Sequence, residues 1–460
     1  MNREKKLISN TIVFGIGNIG SKVIMFLIVP IYTYYMSTSE YGSADLLNTI
    51  VMLLTPLLSL SVYDAVLRWV LDKKETIEDI FNTGLTIVII SGMVSMIISI
   101  VTYVVYPNVK IILLCTLIIC QIFNTFFSQF LKGIEKNIIF AINGIIQSVG
   151  TIIFALVFLN QNMNHIDAFF LSLICSSSIS IAYMFIFGEL YKYYKLNKFN
   201  KKLMTDMLIY SLPLIPNQLM WWVMNVSDRY IVIYYLGYSV NGIYAVATKI
   251  PAVLNILSSV FLQSWQISAI EENNSADRTK YFSSIFNNMN RILTIGVSGI
   301  LIFIRPFSKV IFGAAYQDVW KFVPLLLVAL LFSNFSMFIG MSYLASMKTW
   351  GIFRTSILGA VINILLNIIL IPLIGLNGAA LSTAVSFFII WVIRIKETKS
   401  FVKIKIDWMY FVSITLILIV QIVSLFITSK IILLMIPFIF VIFINRKFLI
   451  ESYKFLLGGN

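Results

Sequence analysis

Long apolar runs recur along the whole chain, and most of them are long enough for a helix that crosses a lipid bilayer. Of the 460 residues, 59% are hydrophobic and 12% are charged, whereas about a quarter of a soluble domain is charged. Backbone groups inside a bilayer must bond to one another, and alternating ten-residue strands are absent from the pattern, so each run is expected to be a helix. The sequence therefore predicts an all-α integral membrane protein with about 14 transmembrane helices, in the runs 7–34, 42–69, 81–106, 110–131, 138–159, 166–188, 206–236, 242–270, 284–304, 322–346, 352–374, 377–394, 407–428 and 430–445.

Lysine and arginine are distributed unevenly among the connections between these runs. Connections on the side of the N-terminus hold 25 of them, whereas the opposite side holds Lys110, Arg305, Lys309, Lys321 and Lys430. Cytoplasmic connections are the richer in cations, so we expect a multi-pass membrane protein with both termini in the cytoplasm. Cations near anionic lipid headgroups explain the net charge of +14, and no nucleic-acid partner is predicted.

The longest cytoplasmic connection divides the first twelve helices into two groups of six. A weak repeat supports this division, because residues 40–44 (EYGSA) follow the first helix of one group as residues 240–245 (VNGIYA) follow that of the other. Both groups begin on the cytoplasmic side, so the repeats are expected to be parallel. The predicted domains are an N-lobe at 1–188 with helices 1–6, a basic cytoplasmic connector at 189–205, a C-lobe at 206–396 with helices 7–12, and a last segment at 397–460 with helices 13–14 and a cytoplasmic tail.

Apart from the cations at span ends, which are counted with the connections, four cations remain inside the predicted spans, where a charge is costly and so marks a functional hypothesis. They are Lys22, Arg229, Lys249 and Arg291. We predict that these side chains bind an anionic group of a substrate. Other roles stay open, since a lysine can extend its stem toward the membrane surface and Arg291 lies close to the cytoplasmic end of its helix.

Polar side chains accompany two of these cations at helical spacing. Helix 1 carries Thr11, Gly15 and Asn18 before Lys22, and helix 7 repeats the same spacing up to Arg229. A polar face in a buried helix must contact protein or water, so we predict a hydrated cavity between the lobes. Amides are equally common as hydrogen-bonding contacts between helices, and Asp228 can simply balance Arg229. The predicted cavity lining is Asn18, Gln121, Asn124, Asn143, Gln147, Gln218, Trp222, Asn225 and Asp228.

Several classes of chemistry lack the residues that they need. His165 is the single histidine, and Cys115, Cys120 and Cys175 lie in apolar runs without metal-ligand spacing, so neither a metal site nor a catalytic site is predicted. No phosphate-binding G-x-x-x-x-G-K-[ST] segment is present, and no connection exceeds about twenty residues, which leaves no room for a soluble catalytic domain. We therefore expect a transporter without a cofactor.

Four pairs of short segments carry a resemblance to a known family. They are PIYT at 30–33 with SEYG at 39–42, SLPLIP at 211–216 with SDRY at 227–230, GIYA at 242–245 with KIP at 249–251, and NILLN at 363–367 with IPLIGLNGAA at 371–380. In this order the sequence resembles the polysaccharide flippases of the Wzx type, in the multidrug/oligosaccharidyl-lipid/polysaccharide (MOP) exporter superfamily.

The resemblance implies two six-helix lobes around a V-shaped central cavity, followed by two C-terminal helices. It implies a substrate of the undecaprenyl-pyrophosphate-linked oligosaccharide type, such as a capsule or O-antigen repeat unit, moved from the inner to the outer leaflet by alternating access. Cavity cations of the family meet the lipid pyrophosphate, which carries onto Lys22, Arg229 and Lys249 by position and chemistry. A polysaccharide polymerase is a further candidate partner.

Two rival functions stay open. A cation-coupled drug exporter of the same superfamily needs a carboxylate in its cavity, and the run 7–34 contains none. A membrane polysaccharide polymerase or glycosyltransferase needs catalytic acids or a large outer connection, and the largest, 305–321, holds only Asp318. Both rivals are therefore disfavoured relative to a flippase.

Overall fold

The structure is a computed structural model that describes residues 24, 26–72, 74–195, 199–272, 275, 277–346, 348–428 and 430–456. Regular secondary structure in these ranges is helical. The helices are α1 (Phe26–Tyr35), α2 (Thr38–Leu58), α3 (Val62–Asp72), α4 (Ile77–Val105), α5 (Val109–Gly133), α6 (Asn137–Leu159), α7 (His165–Phe187), α8 (Lys201–Ser211), α9 (Leu214–Leu236), α10 (Tyr238–Glu271), α11 (Arg278–Ile311), α12 (Val323–Ala345), α13 (Thr349–Ile374), α14 (Leu376–Thr398), α15 (Trp408–Ile427) and α16 (Ile431–Leu456), with 3-10 turns at Leu190–Lys192 and Ala314–Lys321.

Twelve helices of the described ranges are long and apolar enough to cross a membrane. Two predicted spans are not among them. The run 7–34 begins outside the described residues and continues as the short apolar helix α1. The run 206–236 corresponds to α8 and α9, and the polar and charged side chains of α9 lower its hydropathy. The prediction of an all-α membrane protein that spans the bilayer many times is confirmed.

The second predicted span is broken in its middle. Residues 59–61 separate α2 from α3, just after Pro56 in the last turn of α2. Leu60 and Ser61 have φ values of 51° and 50°, a region that side chains other than glycine disfavour by about 1–3 kcal/mol each. The amide of Ser61 donates to the Pro56 carbonyl at 3.0 Å, which holds the bend in place.

The seventh predicted span is also broken. Its two helices, α8 and α9, are separated at residues 212–213, where Pro213 removes a backbone donor. By contrast, Pro251 and Pro372 lie within the continuous helices α10 and α13. Only some of the prolines inside the predicted spans therefore coincide with a break in the helix.

The chain divides into two compact units, Met1–Tyr230 and Ile231–Asn460. In the first unit, α7 packs against α6 and α5. In the second unit, α12 packs against α10, α13 and α14, and α11 packs against α15 and α16. The division falls inside α9, and the domain boundaries expected at 188, 205 and 396 stay a prediction.

Polar contacts join α11 to the last two helices at several positions along its length. The Ser298 hydroxyl donates to Gln421 Oε1 at 2.6 Å, and the hydroxyls of Thr294 and Tyr410 are 2.9 Å apart. Near the other end of α11, Arg305 donates to the carbonyl of Thr428 at 3.0 Å. Helices α15 and α16 are thus attached to α11 along much of its length.

A buried arginine joins three helices of the second unit. By its position in the sequence, Arg394 belongs to the cation-rich cytoplasmic connection that follows the twelfth predicted span. Its side chain lies instead inside the packing of α12, α13 and α14, and the residue is 4% exposed. It donates to the Ser336 carbonyl at 2.9 Å, to the Thr355 hydroxyl at 2.9 Å and to the Ser356 hydroxyl at 3.0 Å. One guanidinium therefore bonds to two neighbouring helices from a third.

The basic connector is held against α4 by the side chain of Asn82. Its amide donates to the Tyr193 carbonyl at 2.8 Å and its carbonyl accepts the Lys195 amide at 3.0 Å. We expect Asn82→Ala to speed tryptic cleavage after Lys195 on the order of tenfold, equivalent to about 1.4 kcal/mol.

Limited proteolysis in detergent measures this effect. The matched control is Thr86→Ala, because the Thr86 hydroxyl bonds to the Asn82 backbone carbonyl of its own helix, at 2.7 Å. Equal cleavage rates in the two variants would contradict the assigned role of Asn82.

Candidate functional site

The candidate site is the polar face of α9 and the part of α2 and α3 that it contacts. The sequence predicts that Gln218, Trp222, Asn225 and Arg229 share one face of this helix. Three of them contact α2 or α3. Asn225 is exposed, and its side-chain amide donates to the Trp221 carbonyl of its own helix at 2.7 Å.

Arg229 forms a buried ion pair with Asp45. Arg229 Nε lies 2.6 Å from Asp45 Oδ2, and the two side chains are 11% and 7% exposed. A charge pair removed from water stabilises a protein little, and removal of one partner leaves a costly buried charge. The pair therefore fixes the relative positions of α2 and α9 strongly as long as both charges are present.

Asp228 lies next to this pair and is also buried. Its Oδ1 accepts the backbone amide of Arg229 at 2.9 Å. Arg229 thus has one carboxylate at its guanidinium and a second at its backbone amide. This arrangement opposes a further anion at the guanidinium while Asp45 is in place.

Thr49, one turn along α2 from Asp45, supplies the next contacts. Its hydroxyl lies 3.2 Å from the Tyr230 hydroxyl, and its carbonyl accepts Trp222 Nε1 at 2.9 Å. The rings of Trp222 and Tyr230 also pack together, with centroids 5.5 Å apart. These neutral contacts are worth about 1 kcal/mol each, so the ion pair is the strongest link between the two helices.

A third contact lies where both spans are broken. Gln218, in the first turns of α9, donates to Asp64 Oδ2 at 3.1 Å and accepts the Tyr63 hydroxyl at 3.2 Å. Asp64 and Tyr63 belong to the first turn of α3. This contact has no charge pair, and it lies about 16 Å from Arg229 along α9, at 1.5 Å per residue.

The other predicted site residues at positions below 200 are not part of the contact between α9 and α2 or α3 as far as the structure describes them. Asn18 and Lys22 lie outside the described residues. Gln121 is half-buried, and Gln147 donates to the Ser177 hydroxyl at 3.2 Å.

Asn124 and Asn143 are buried and meet through one serine. Asn124 donates to the Ser180 hydroxyl at 2.6 Å, and that hydroxyl donates to Asn143 at 2.5 Å. Both amides hold α5, α6 and α7 together. This geometry favours the role of interhelical contact that the sequence left open.

Two predicted cations belong to the second unit. Lys249 is half-buried in α10. Arg291 lies 3.8 Å from the carboxylate of Asp407, and its guanidinium lies 5.2 Å from the ring centre of Tyr410 and 5.8 Å from that of Phe448. Arg291 thus attaches α11 to the C-terminal helices.

Sequence reasoning did not assign a role to Asp45 or Asp64. The signal was available, because both acids lie inside the predicted span 42–69, where an acid requires a partner. The identity of that partner was not readable, since spacing along one helix does not reveal which helix packs beside it.

Comparison with known proteins identifies the family. The profile described as "polysaccharide biosynthesis protein" matches residues 7–265, which is more than half of the chain. The chain belongs to this family. A curated relative, a probable low-salt glycan biosynthesis flippase (Agl15) from Haloferax volcanii, is 26% identical over 178 residues. That match spans 38% of each protein.

Solved structures of membrane transporters show the same fold. A lipid II flippase, MurJ, in an inward closed conformation superposes with a TM-score of 0.74 at 15% identity, over 96% of this chain and 99% of that one. A multidrug-resistance (MATE) transporter of the MOP superfamily in an inward-facing conformation gives 0.67 at 12% identity, over 89% and 96%. The family resemblance predicted from the sequence is confirmed by the profile match, and the fold agrees with it.

Proposed function

We propose that the protein is a flippase that moves undecaprenyl-pyrophosphate-linked oligosaccharides from the inner to the outer leaflet for the synthesis of surface polysaccharide. The observation that carries the proposal is Arg229, a buried guanidinium on the polar face of α9 in a transporter fold. The family match and the similarity to a probable glycan biosynthesis flippase and to a lipid II flippase support it. The movement breaks no bond and needs no cofactor.

The chemistry of the site suits such a substrate. A pyrophosphate carries several acceptor oxygens, and a guanidinium binds phosphate oxygens through two parallel donors. Sugar hydroxyls bond to amides and pack against aromatic rings, which Gln218 and Trp222 supply one turn apart on the same helix. Lys22 and Lys249 are proposed as further cations for the head group.

The distribution of cations along the chain supports an orientation with both termini in the cytoplasm. Helix α9 then runs from the inner side to the outer side, with Gln218 near its inner end and Arg229 nearer its outer end. A membrane potential that is negative inside favours outward movement of an anion by about 2.3 kcal/mol per charge per 100 mV. The proposed transport step is therefore driven in the biosynthetic direction.

Purified protein in liposomes tests the function. Undecaprenyl-pyrophosphate disaccharide is placed in one leaflet, and its arrival in the other is read by a membrane-impermeant glycosidase. We expect cleavage of the lipid initially protected from the enzyme in proteoliposomes and none in empty liposomes.

The alternative functions give different results. A cation-coupled drug exporter would leave the lipid in place and expel a small organic cation when a proton or sodium gradient is imposed. A polymerase or glycosyltransferase would lengthen the glycan. Either outcome would overturn the flippase assignment.

A further inference from the structure

Asp45 occupies the position at Arg229 where a substrate anion would bind. Its Oδ2 lies 2.6 Å from Arg229 Nε, and both side chains are almost completely buried. A guanidinium presents its donors in one plane. A pyrophosphate that bonds through the Nε edge must therefore take the place of the Asp45 carboxylate.

Asp228 adds a second buried negative charge next to Arg229 along the chain. Its carboxylate accepts the Arg229 backbone amide at 2.9 Å. If Asp45 and a pyrophosphate both contacted the guanidinium, with Asp228 bonded to the backbone of the same residue, the local charge would be strongly negative in a medium of low dielectric. The pyrophosphate can approach Arg229 only as Asp45 leaves.

The Asp45 carboxylate cannot stay buried in the same place once a pyrophosphate has displaced it from Arg229. A buried carboxylate without a counter-charge is costly and must be hydrated or paired elsewhere. Asp45 belongs to α2, so its hydration requires that the beginning of α2 move away from α9. The contacts of Thr49 with Tyr230 and with Trp222, one turn along α2, are neutral hydrogen bonds of about 1 kcal/mol each and would follow.

We infer that Asp45 is a positioning residue that keeps α2 against α9 until the pyrophosphate of the substrate displaces it from Arg229. This inference rests on the proposed function. In the proposed orientation, the contact lies toward the outer side of the membrane. Binding of the anionic head group therefore separates α2 from α9 on the outer side, whereas an uncharged lipid leaves the two helices in contact.

A cysteine at position 49 reports on this contact, because Thr49 is 2% exposed and bonds to both Trp222 and Tyr230. The three native cysteines are replaced by alanine, and Thr49→Cys is reacted with a membrane-impermeant maleimide. Undecaprenyl pyrophosphate is expected to raise the reaction rate about tenfold, whereas undecaprenol, which has the same tail without charge, leaves the rate unchanged.

Two variants separate the ion pair from a general loosening of the structure. Asp45→Asn is expected to react rapidly without lipid and to show no further increase. Glu40→Gln, the matched control, removes another carboxylate of α2, which lies 3.1 Å from His165 Nδ1 of α7. It is expected to behave as the parent does.

The outcomes distinguish this inference from the proposed function. An unchanged rate with undecaprenyl pyrophosphate, in a protein that flips the lipid-linked disaccharide, would refute the displacement of Asp45 and leave the flippase intact. An equal rise with undecaprenol would also refute it. If the Asp45→Asn variant does not accumulate, the response of the parent protein to the two lipids is by itself the test of the displacement.

Discussion

Replacement of Arg229 by glutamine is expected to slow flipping of the lipid-linked disaccharide by at least tenfold. Hydrogen bonds to a charged group contribute about 1.5–3 kcal/mol, which corresponds to roughly 10–100-fold in rate if they are formed during transport. Arg229→Lys should retain part of the activity, because it keeps the charge and loses the planar pair of donors. Initial rates in proteoliposomes measure both effects.

Two further variants exclude indirect explanations. Arg229→Gln leaves Asp45 as a buried carboxylate without its cation, so its defect could reflect instability. The double variant with Asp45→Asn removes both charges and is expected to fold, yet to remain slow. Lys430→Gln, at an exposed lysine, should flip at the parent rate. Normal flipping by the double variant would show that Arg229 does not bind the substrate.

Arg394→Lys is expected to lower the free energy of unfolding of the protein substantially, although the change is conservative. Lysine keeps the buried charge, but one ammonium group cannot reach Ser336, Thr355 and Ser356 on two different helices. Loss of two charge-assisted bonds corresponds to about 3 kcal/mol. We expect the apparent unfolding temperature in detergent to fall by roughly 5 °C or more.

The control for this prediction is Arg354→Lys. Arg354 belongs to α13 and pairs with Glu397 of α14, but its side chain is 62% exposed, and exposed ion pairs contribute about 1 kcal/mol or less. Equal unfolding temperatures for the two lysine variants would show that burial of Arg394 contributes nothing to the packing of α12, α13 and α14.

The helices were largely predictable, because their apolar runs are far longer than a soluble fold requires. The bend between α2 and α3 was only partly predictable from the sequence. Pro56 signals an interruption, but Leu60 and Ser61 adopt a conformation that favours glycine. Nothing in the local sequence indicates this choice, since neither leucine nor serine favours a positive φ.

The polar face of α9 was predictable from spacing, whereas its partners were not. A period of 3.6 residues places Gln218, Trp222 and Arg229 on one side of a helix. It contains no information on which helix lies opposite, so Asp45 and Thr49 could not be chosen from the other polar residues. The same limit applies to Asn124 and Asn143, whose common partner Ser180 belongs to a third helix.

The charge of the transported lipid tests the central claim most directly. Two polyprenyl lipids with the same glycan are compared in proteoliposomes, one joined through a pyrophosphate and one through an uncharged ether. We expect the pyrophosphate lipid to be flipped and the ether lipid to remain in its leaflet, because only the first can replace Asp45 at Arg229. Equal rates for the two lipids would contradict a transport mechanism based on recognition of the anionic head group.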